Sequence, residues 1–347
     1  MKERNYGIDS LRLVLMYMVC ILHTLGQGGI LAASPSKTYW FFEIFAYCAV
    51  DGFALISGYM ANLLPERPHK YGKIVNMWFQ AVFYSFAVTV VLTLIGINKE
   101  WHIREMINCL LPITYGKFWY FSAYFALFFA IPVLNKFLYA ADENSAKKAL
   151  IILVFLYTVV SFINDPFRIS SGYSAMWLMI LYCIGALAKK VQLFEQRKTV
   201  TLICIWIISV VSTWLLYTVV EFRSIVNYIS PTILLNAIIM VVLFSRIKLK
   251  MTFISKISPL AFGIYLFQSN QLIWNNVIKD AFSFVPSKGR VIGVAYVFLF
   301  ASLIFISGLI VEFIRSKLEK ALKIPTLSEK IILLANKIIT SSVILLK

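Results

Sequence analysis

Charge is scarce in this 347-residue chain: 14% of its residues are charged, where a soluble domain carries about a quarter. Histidine is scarcer still, with three in the whole sequence. Five cysteines (Cys20, Cys48, Cys109, Cys183 and Cys204) form no CxxC pair and lie mostly inside apolar runs. That spacing argues against a disulfide framework and against a metal site. His69 and His102 sit in polar loops without ligand spacing and are expected to be solvated. Acidic residues number 16 against 33 lysines and arginines, a formal charge of +17. The basic stretches are short and lack the interleaved features of a nucleic-acid domain, so a nucleic-acid partner is not expected.

What the chain has in quantity is apolar length. Hydrophobic residues make up 60% of it, in runs of roughly twenty, which is the transmembrane-helix pattern. The expected fold class is all-α: a polytopic membrane protein with about ten spans. They cover about 8–27, 39–63, 77–97, 118–138, 148–163, 174–189, 200–220, 228–246, 257–275 and 290–314. The opening "MKER" before an apolar run resembles a signal peptide, but an arginine inside the run points to a retained first helix. The polar stretch between the third and fourth runs has a middle suited to a short interfacial helix. Alternate loops hold 23 and nine basic residues, which places both termini in the cytoplasm. Residues 1–315 form the expected transmembrane domain. Residues 316–347 form a basic amphipathic tail expected on the inner leaflet of a bacterial plasma membrane.

Charges inside spans are costly and commonly face a functional cavity. Arg12, His23, Glu43, Asp51 and Glu312 lie in or near the runs. Glu312 with Arg315, and Glu221 with Arg223, read as ordinary charges at helix ends. Arg12 and His23 are eleven residues apart, so they project from one helix face, about 16 Å apart along the axis. That wall suits an elongated ligand with an anionic end. On the second run, Glu43 is expected at the depth of His23 and Asp51 nearer that of Arg12. A carboxylate would orient the imidazole, and another would offset the guanidinium.

Four motifs then carry a family resemblance. "IDSLRLVLMYMVCILH" resembles the opening signature of the integral-membrane acyltransferase family 3, an arginine, ten intervening residues, then histidine. "VDGFALISGYM", ending in Ser57-Gly58-Tyr59, is similar to its second-helix motif, although Gly52-Phe53-Ala54 replaces the usual paired phenylalanines. "KFWYFSAYFALFFAIPVLN" and "SPLAFGIYLFQ" resemble two later segments, the last with Gln268 where histidine is usual.

The resemblance implies acyl transfer, usually of acetyl, from cytoplasmic acyl-CoA to a hydroxyl of a surface glycan or similar acceptor. It implies Arg12 and His23 as the residues the reaction needs, His23 acting as general base or brief acyl carrier; Asp51, placed near Arg12 by its depth in the second run, completes the expected catalytic set. Arg67 and Lys73, with Lys70 between, are candidates for the coenzyme phosphates. Glu43, Ser57, Trp119 and Tyr120 are candidates for the acceptor, the two aromatic rings by stacking on a sugar. A polysaccharide-synthesis complex is a possible setting. A proton-coupled transporter or flippase is the competing class, since buried Arg, His and Asp also serve carriers; it predicts uptake without an acyl donor.

Overall fold

The computed structural model describes residues 4–64, 69–98 and 102–345, with the side chains of 336 and 339–345 left aside. The described residues form helices joined by turns, without strands. Six helical segments are long and apolar enough to cross a membrane: Tyr6–Ala33, Lys37–Tyr59, Gly72–Leu94, Trp119–Ala140, Thr199–Thr218 and Arg290–Ala321. The other four predicted runs are helical too, but shorter or broken. Glu143–Val154 continues as a π-helical stretch, Phe155–Val160. Ala175–Lys190 and Pro231–Ser245 hold 16 and 15 residues. The run 257–275 breaks into short pieces around Ala261–Gln268.

The first helix, α1 (Tyr6–Leu25), starts where the Asn5 side chain accepts a hydrogen bond from the Ile8 amide, and carries Asp9 in its first turn, where the helix dipole favours an anion. It ends at a glycine-rich turn, with Gly29 at φ 86°. The second run is not one rod. Cys48 divides it into α2 (Lys37–Tyr47) and α3 (Ala49–Tyr59), which places Asp51 in the first turn of the second piece. Further along lie α4 (Gly72–Leu94), α5 (Ile103–Leu110) and α6 (Trp119–Ala140). The amphipathic α5 is the short helix expected from the polar stretch.

Helices α1 and α3 are the inner members of the bundle. α3 packs closely against α7 (Ala175–Lys190) at two glycines and also meets α8 (Pro231–Ser245). A Cβ on Gly58 would strike the Tyr182 carbonyl, and one on Gly185 would strike that of Leu55. Without a hydrophobic drive between apolar helices in lipid, such close backbone approach supplies the packing energy. Exposed Phe137, Ile151, Val200, Ile208, Leu303 and Phe313 form the outer apolar surface on peripheral helices.

Two expectations are corrected here. Glu312 and Arg315 are not snorkelling helix-end charges: they are 2% and 7% exposed. On α10 (Arg290–Ala321), the Arg315 guanidinium donates two 2.8 Å bonds to Glu312. The Tyr84 hydroxyl of α4 donates a third at 2.9 Å, and Glu319 pairs with Arg315 from the next turn. Gly263 of α9 (Ala261–Gln268) leaves the space that Glu312 fills; any Cβ there would overlap its carboxylate. Three helices thus meet on one buried ion pair. His69 is not solvated either. It is half-buried against Tyr71 and Phe128 at ring distances of 4.7 and 4.2 Å, and burial, with Lys73 nearby, lowers its basicity. The tail is the helix Ile324–Leu345, which packs against α4.

Removing one member of the buried pair strands the other. Glu312→Gln is expected to cost about 3–5 kcal/mol. It should lower the thermal unfolding midpoint of the detergent-purified protein, while Glu319→Gln at the more exposed edge shifts it far less.

Candidate active site

A cavity of about 850 Å³ opens between α1, α2, α3, α6 and α9. Arg12, Met16, Val19 and His23 line it as one stripe of α1, at the i, i+4, i+7, i+11 spacing of a single helix face. Opposite them stand Glu43 and Tyr47 of α2, Phe53 and Ser57 of α3, and Tyr120 and Tyr124 of α6. The expected shared wall of guanidinium and imidazole is present.

At one end, Arg12 Nη1 donates to Asp9 Oδ1 at 2.8 Å. Asp9 is 4% exposed and serves three partners. Its Oδ2 accepts from Arg4 Nε at 2.6 Å, and its Oδ1 accepts from Ser258 Oγ at 3.3 Å as well. The counter-charge of Arg12 is therefore Asp9, one turn before it on α1, and not Asp51. With one edge of the guanidinium tied, and a side chain 36% exposed, its remaining N–H groups face the cavity.

Asp51 is drawn elsewhere. It is fully buried, accepts a 2.9 Å bond from Trp177 Nε1 of α7, and is not among the cavity-lining residues. The division of the second run at Cys48 turns its side chain toward the α3–α7 interface.

At the other end, His23 is partly exposed to the cavity, with Trp274 edge-on at 4.6 Å. Its Nδ1 lies 3.1 Å from Gln268 Oε1. The Gln268 amide is set in turn by Met16, whose sulfur lies 3.4 Å from Nε2. With the amide oxygen toward the ring, Nδ1 carries the proton and donates it, leaving the Nε2 lone pair free. The residue that orients His23 is thus a neutral amide from α9, not the carboxylate of Glu43. Glu43 lines the same cavity, 9% exposed, with Oε2 lacking any protein partner.

The remaining candidates divide. Trp119 and Tyr120 both line the cavity. Trp119 lies against Tyr173 at 4.7 Å and parallel to Tyr228 at 6.4 Å. The Tyr120 hydroxyl is buried without a protein partner, while its amide donates to the Tyr265 hydroxyl. Ser57 Oγ donates to the Phe53 carbonyl at 3.1 Å and lines the wall. Lys73 is exposed on the first turn of α4, four residues before Met77, a lining residue, so the two share one face of that helix. Arg67 lies outside the described residues. Sequence reasoning passed over Asp9, Tyr124, Tyr265 and Trp274. Asp9 stood in the opening motif, and Gln268 stood out only as a departure.

The model of a family described as an acyltransferase domain matches residues 5–312. The chain belongs to acyltransferase family 3. The match runs from Asn5, which caps α1, to Glu312 of the buried pair, so the family's domain includes every helix that frames the cavity. No curated protein and no solved structure matches the chain. As a membrane acyltransferase, the protein has in this cavity a base, a partly paired cation and apolar walls along one continuous path.

Gln268→Leu removes the acceptor from His23 Nδ1 at nearly constant volume. It is expected to lower the acyl-transfer kcat about tenfold, with little change in KM, as the loss of one orienting hydrogen bond predicts. Gln268→Glu should retain more activity than Gln268→Leu, because a carboxylate also accepts from Nδ1–H.

Proposed function

We propose that the protein is an acyl-CoA-dependent O-acyltransferase that moves an acyl group, acetyl in the simplest case, to a hydroxyl of a cell-surface glycan or its precursor. The observation that carries this reading is the disposition of Arg12 and His23 at two ends of one cavity, with an imidazole whose Nε2 is free. The coenzyme enters from the side of Arg12. The guanidinium edge left open by Asp9 binds a phosphate or a pantetheine amide, with Lys73 and Arg67 drawing in the remaining phosphates. The apolar stripe of Met16 and Val19 leads the pantetheine arm toward His23.

The acceptor hydroxyl hydrogen-bonds to His23 Nε2, which removes its proton as the oxygen attacks the thioester carbonyl. A carbon–oxygen bond forms, the carbon–sulfur bond breaks, and the coenzyme thiolate leaves, taking the proton from the imidazolium. Gln268 keeps the ring in the tautomer this requires. Glu43, Ser57, Trp119 and Tyr120 line the acceptor side, where unpartnered polar atoms and aromatic faces suit a sugar. Asp51 supports the site indirectly, through the α3–α7 contact to Trp177.

The orientation follows the basic-residue asymmetry: ten membrane-crossing segments, both termini in the cytoplasm, in a bacterial plasma membrane. The four shorter helical runs complete the crossings, and irregular backbone is tolerated where it borders a cavity, as around Ala261–Gln268. Residues 1–315 form the catalytic domain and 316–347 the basic tail. Such an enzyme fits beside a polysaccharide-synthesis complex.

Membranes given radiolabelled acetyl-CoA should pass label to glycan, and His23→Ala should lower that transfer by about 10²–10⁴-fold. Label retained on denatured wild-type protein would instead favour an acyl-histidine route. Arg12→Gln should raise the KM for acyl-CoA about tenfold or more while sparing the acceptor KM, reflecting loss of a charge-assisted contact. Transfer undiminished in His23→Ala would overturn the assignment, and substrate uptake without any acyl donor would support a carrier instead.

A further inference from the structure

A second, smaller cavity of about 220 Å³ lies beside the first. Its walls are the last turns of α4, the amphipathic helix α5, the loop before α6, and the segment that follows α9. Lys117, Phe118 and Gln271 line both cavities, so the two adjoin at these side chains. Trp274, three residues beyond Gln271, is the ring that packs on His23. The smaller cavity therefore neighbours the end of the larger one where His23 stands, and is remote from Arg12.

Its lining differs in kind. The large cavity is walled mainly by apolar and aromatic side chains. The small one presents Glu105 and Lys117, one charge of each sign, together with neutral amide and hydroxyl groups from Gln271, Asn275 and Ser85. Its floor is rigid. Asn270 donates to the Tyr84 carbonyl at 3.2 Å and accepts from the Leu272 amide at 3.0 Å. The Ser85 carbonyl accepts from Thr89 Oγ at 2.8 Å and from Cys109 Sγ at 3.5 Å. Ser85 itself is 2% exposed, and its hydroxyl has no protein partner. A buried hydroxyl left unpaired costs about 1–3 kcal/mol unless something meets it. Ser85 is one of the residues around this cavity, beside Asn270, Gln271 and Asn275.

We propose that this pocket binds a neutral, polyhydroxylated ring of the acceptor: a sugar unit of the glycan, held so that one of its hydroxyls, or one on the adjoining unit, reaches His23 across the shared wall. This rests on the acyltransfer reading above and adds the acceptor subsite to it. The chemistry selects a neutral sugar. Among the described residues the lining carries one carboxylate, Glu105, and one ammonium, Lys117, which favours neither a phosphate-bearing nor a polyanionic unit. The amides of Gln271 and Asn275 and the Glu105 carboxylate match vicinal hydroxyls as donors and acceptors. The Phe118 ring offers an apolar edge for C–H groups. The volume equals that of roughly seven waters at about 30 Å³ each, the scale of one ring rather than a chain.

The test uses full-length protein in detergent micelles and a panel of neutral methyl and p-nitrophenyl glycosides, with binding followed by calorimetry. At least one glycoside is expected to bind the wild type. Glu105→Gln and Asn275→Ala, at side chains that are half-buried and exposed, should each weaken that glycoside by tenfold or more and leave acetyl-CoA binding unchanged. Lys147→Ala, on the exposed surface away from both cavities, should bind the glycoside as the wild type does. Unaltered glycoside affinity in both pocket variants, or no binding by any member of the panel, would overturn the subsite. The acyltransfer reading fails separately, by undiminished transfer in His23→Ala, and that result leaves glycoside binding in the pocket standing.

Discussion

The pairing of α1 with the segment that runs from Ser258 to Gln268 is the constraint on which the site depends. Two polar rungs join these elements across the bundle. Near one end Asp9 accepts from Ser258; near the other His23 meets Gln268. A buried polar atom in an apolar bundle is costly unless satisfied, so each rung specifies a register that sliding of either helix would break. The same two rungs set the two functional ends. Asp9 holds Arg12 on the cavity wall with part of its fork unspent, and Gln268 sets the imidazole tautomer. Position along α1 thereby becomes a chemical coordinate, from cation to base.

Around that pair the structure separates charges that support from charges that act. The Glu312–Arg315–Tyr84 cluster is fully paired and makes no cavity wall, so its role is to fix α4, α9 and α10 against one another. Asp51 spends one oxygen on Trp177 and keeps the other buried without a protein partner, away from the cavity lining. Glu43 and Tyr120 do line the cavity, and Glu43 Oε2 and the Tyr120 hydroxyl are unpaired as well. A ligand hydroxyl can use what the fold has left unpaired, and this distinction is more informative than burial, since all these groups are buried. On the proposed reading, the division extends to the ligands: cation and apolar stripe for the donor, amides and hydroxyls for the acceptor.

How far the site was legible depends on whether a relation is local. Arg12 and His23 share a face because eleven residues bring a helix back to its starting direction, and no tertiary contact can alter that. The pairing of Arg12 with Asp51 and of His23 with Glu43 was inferred from depth in the membrane, and depth does not determine azimuth. The break at Cys48 rotates Asp51 away from the cavity, and a carboxylate only three residues before Arg12 already satisfies it. Gln268 stood out only as a departure from histidine in a late motif, yet its amide oxygen lies 3.1 Å from His23 Nδ1. Glu312 and Arg315 read as end charges because they are one turn apart near a run of lysines. Only the approach of Gly263 and Tyr84 from other helices buries them.

From its composition and periodicity alone, then, the chain specified an all-helical membrane protein. Its first motif specified one helical face bearing a guanidinium and an imidazole, since both are matters of residue type and regular spacing. The tertiary structure decided which partners those groups have. Hydrogen-bond partners in a low-dielectric bundle are chosen by helix crossing, kinks and glycine-sized gaps between segments far apart in the chain, such as His23 and Gln268, 245 residues apart. No local pattern encodes that geometry.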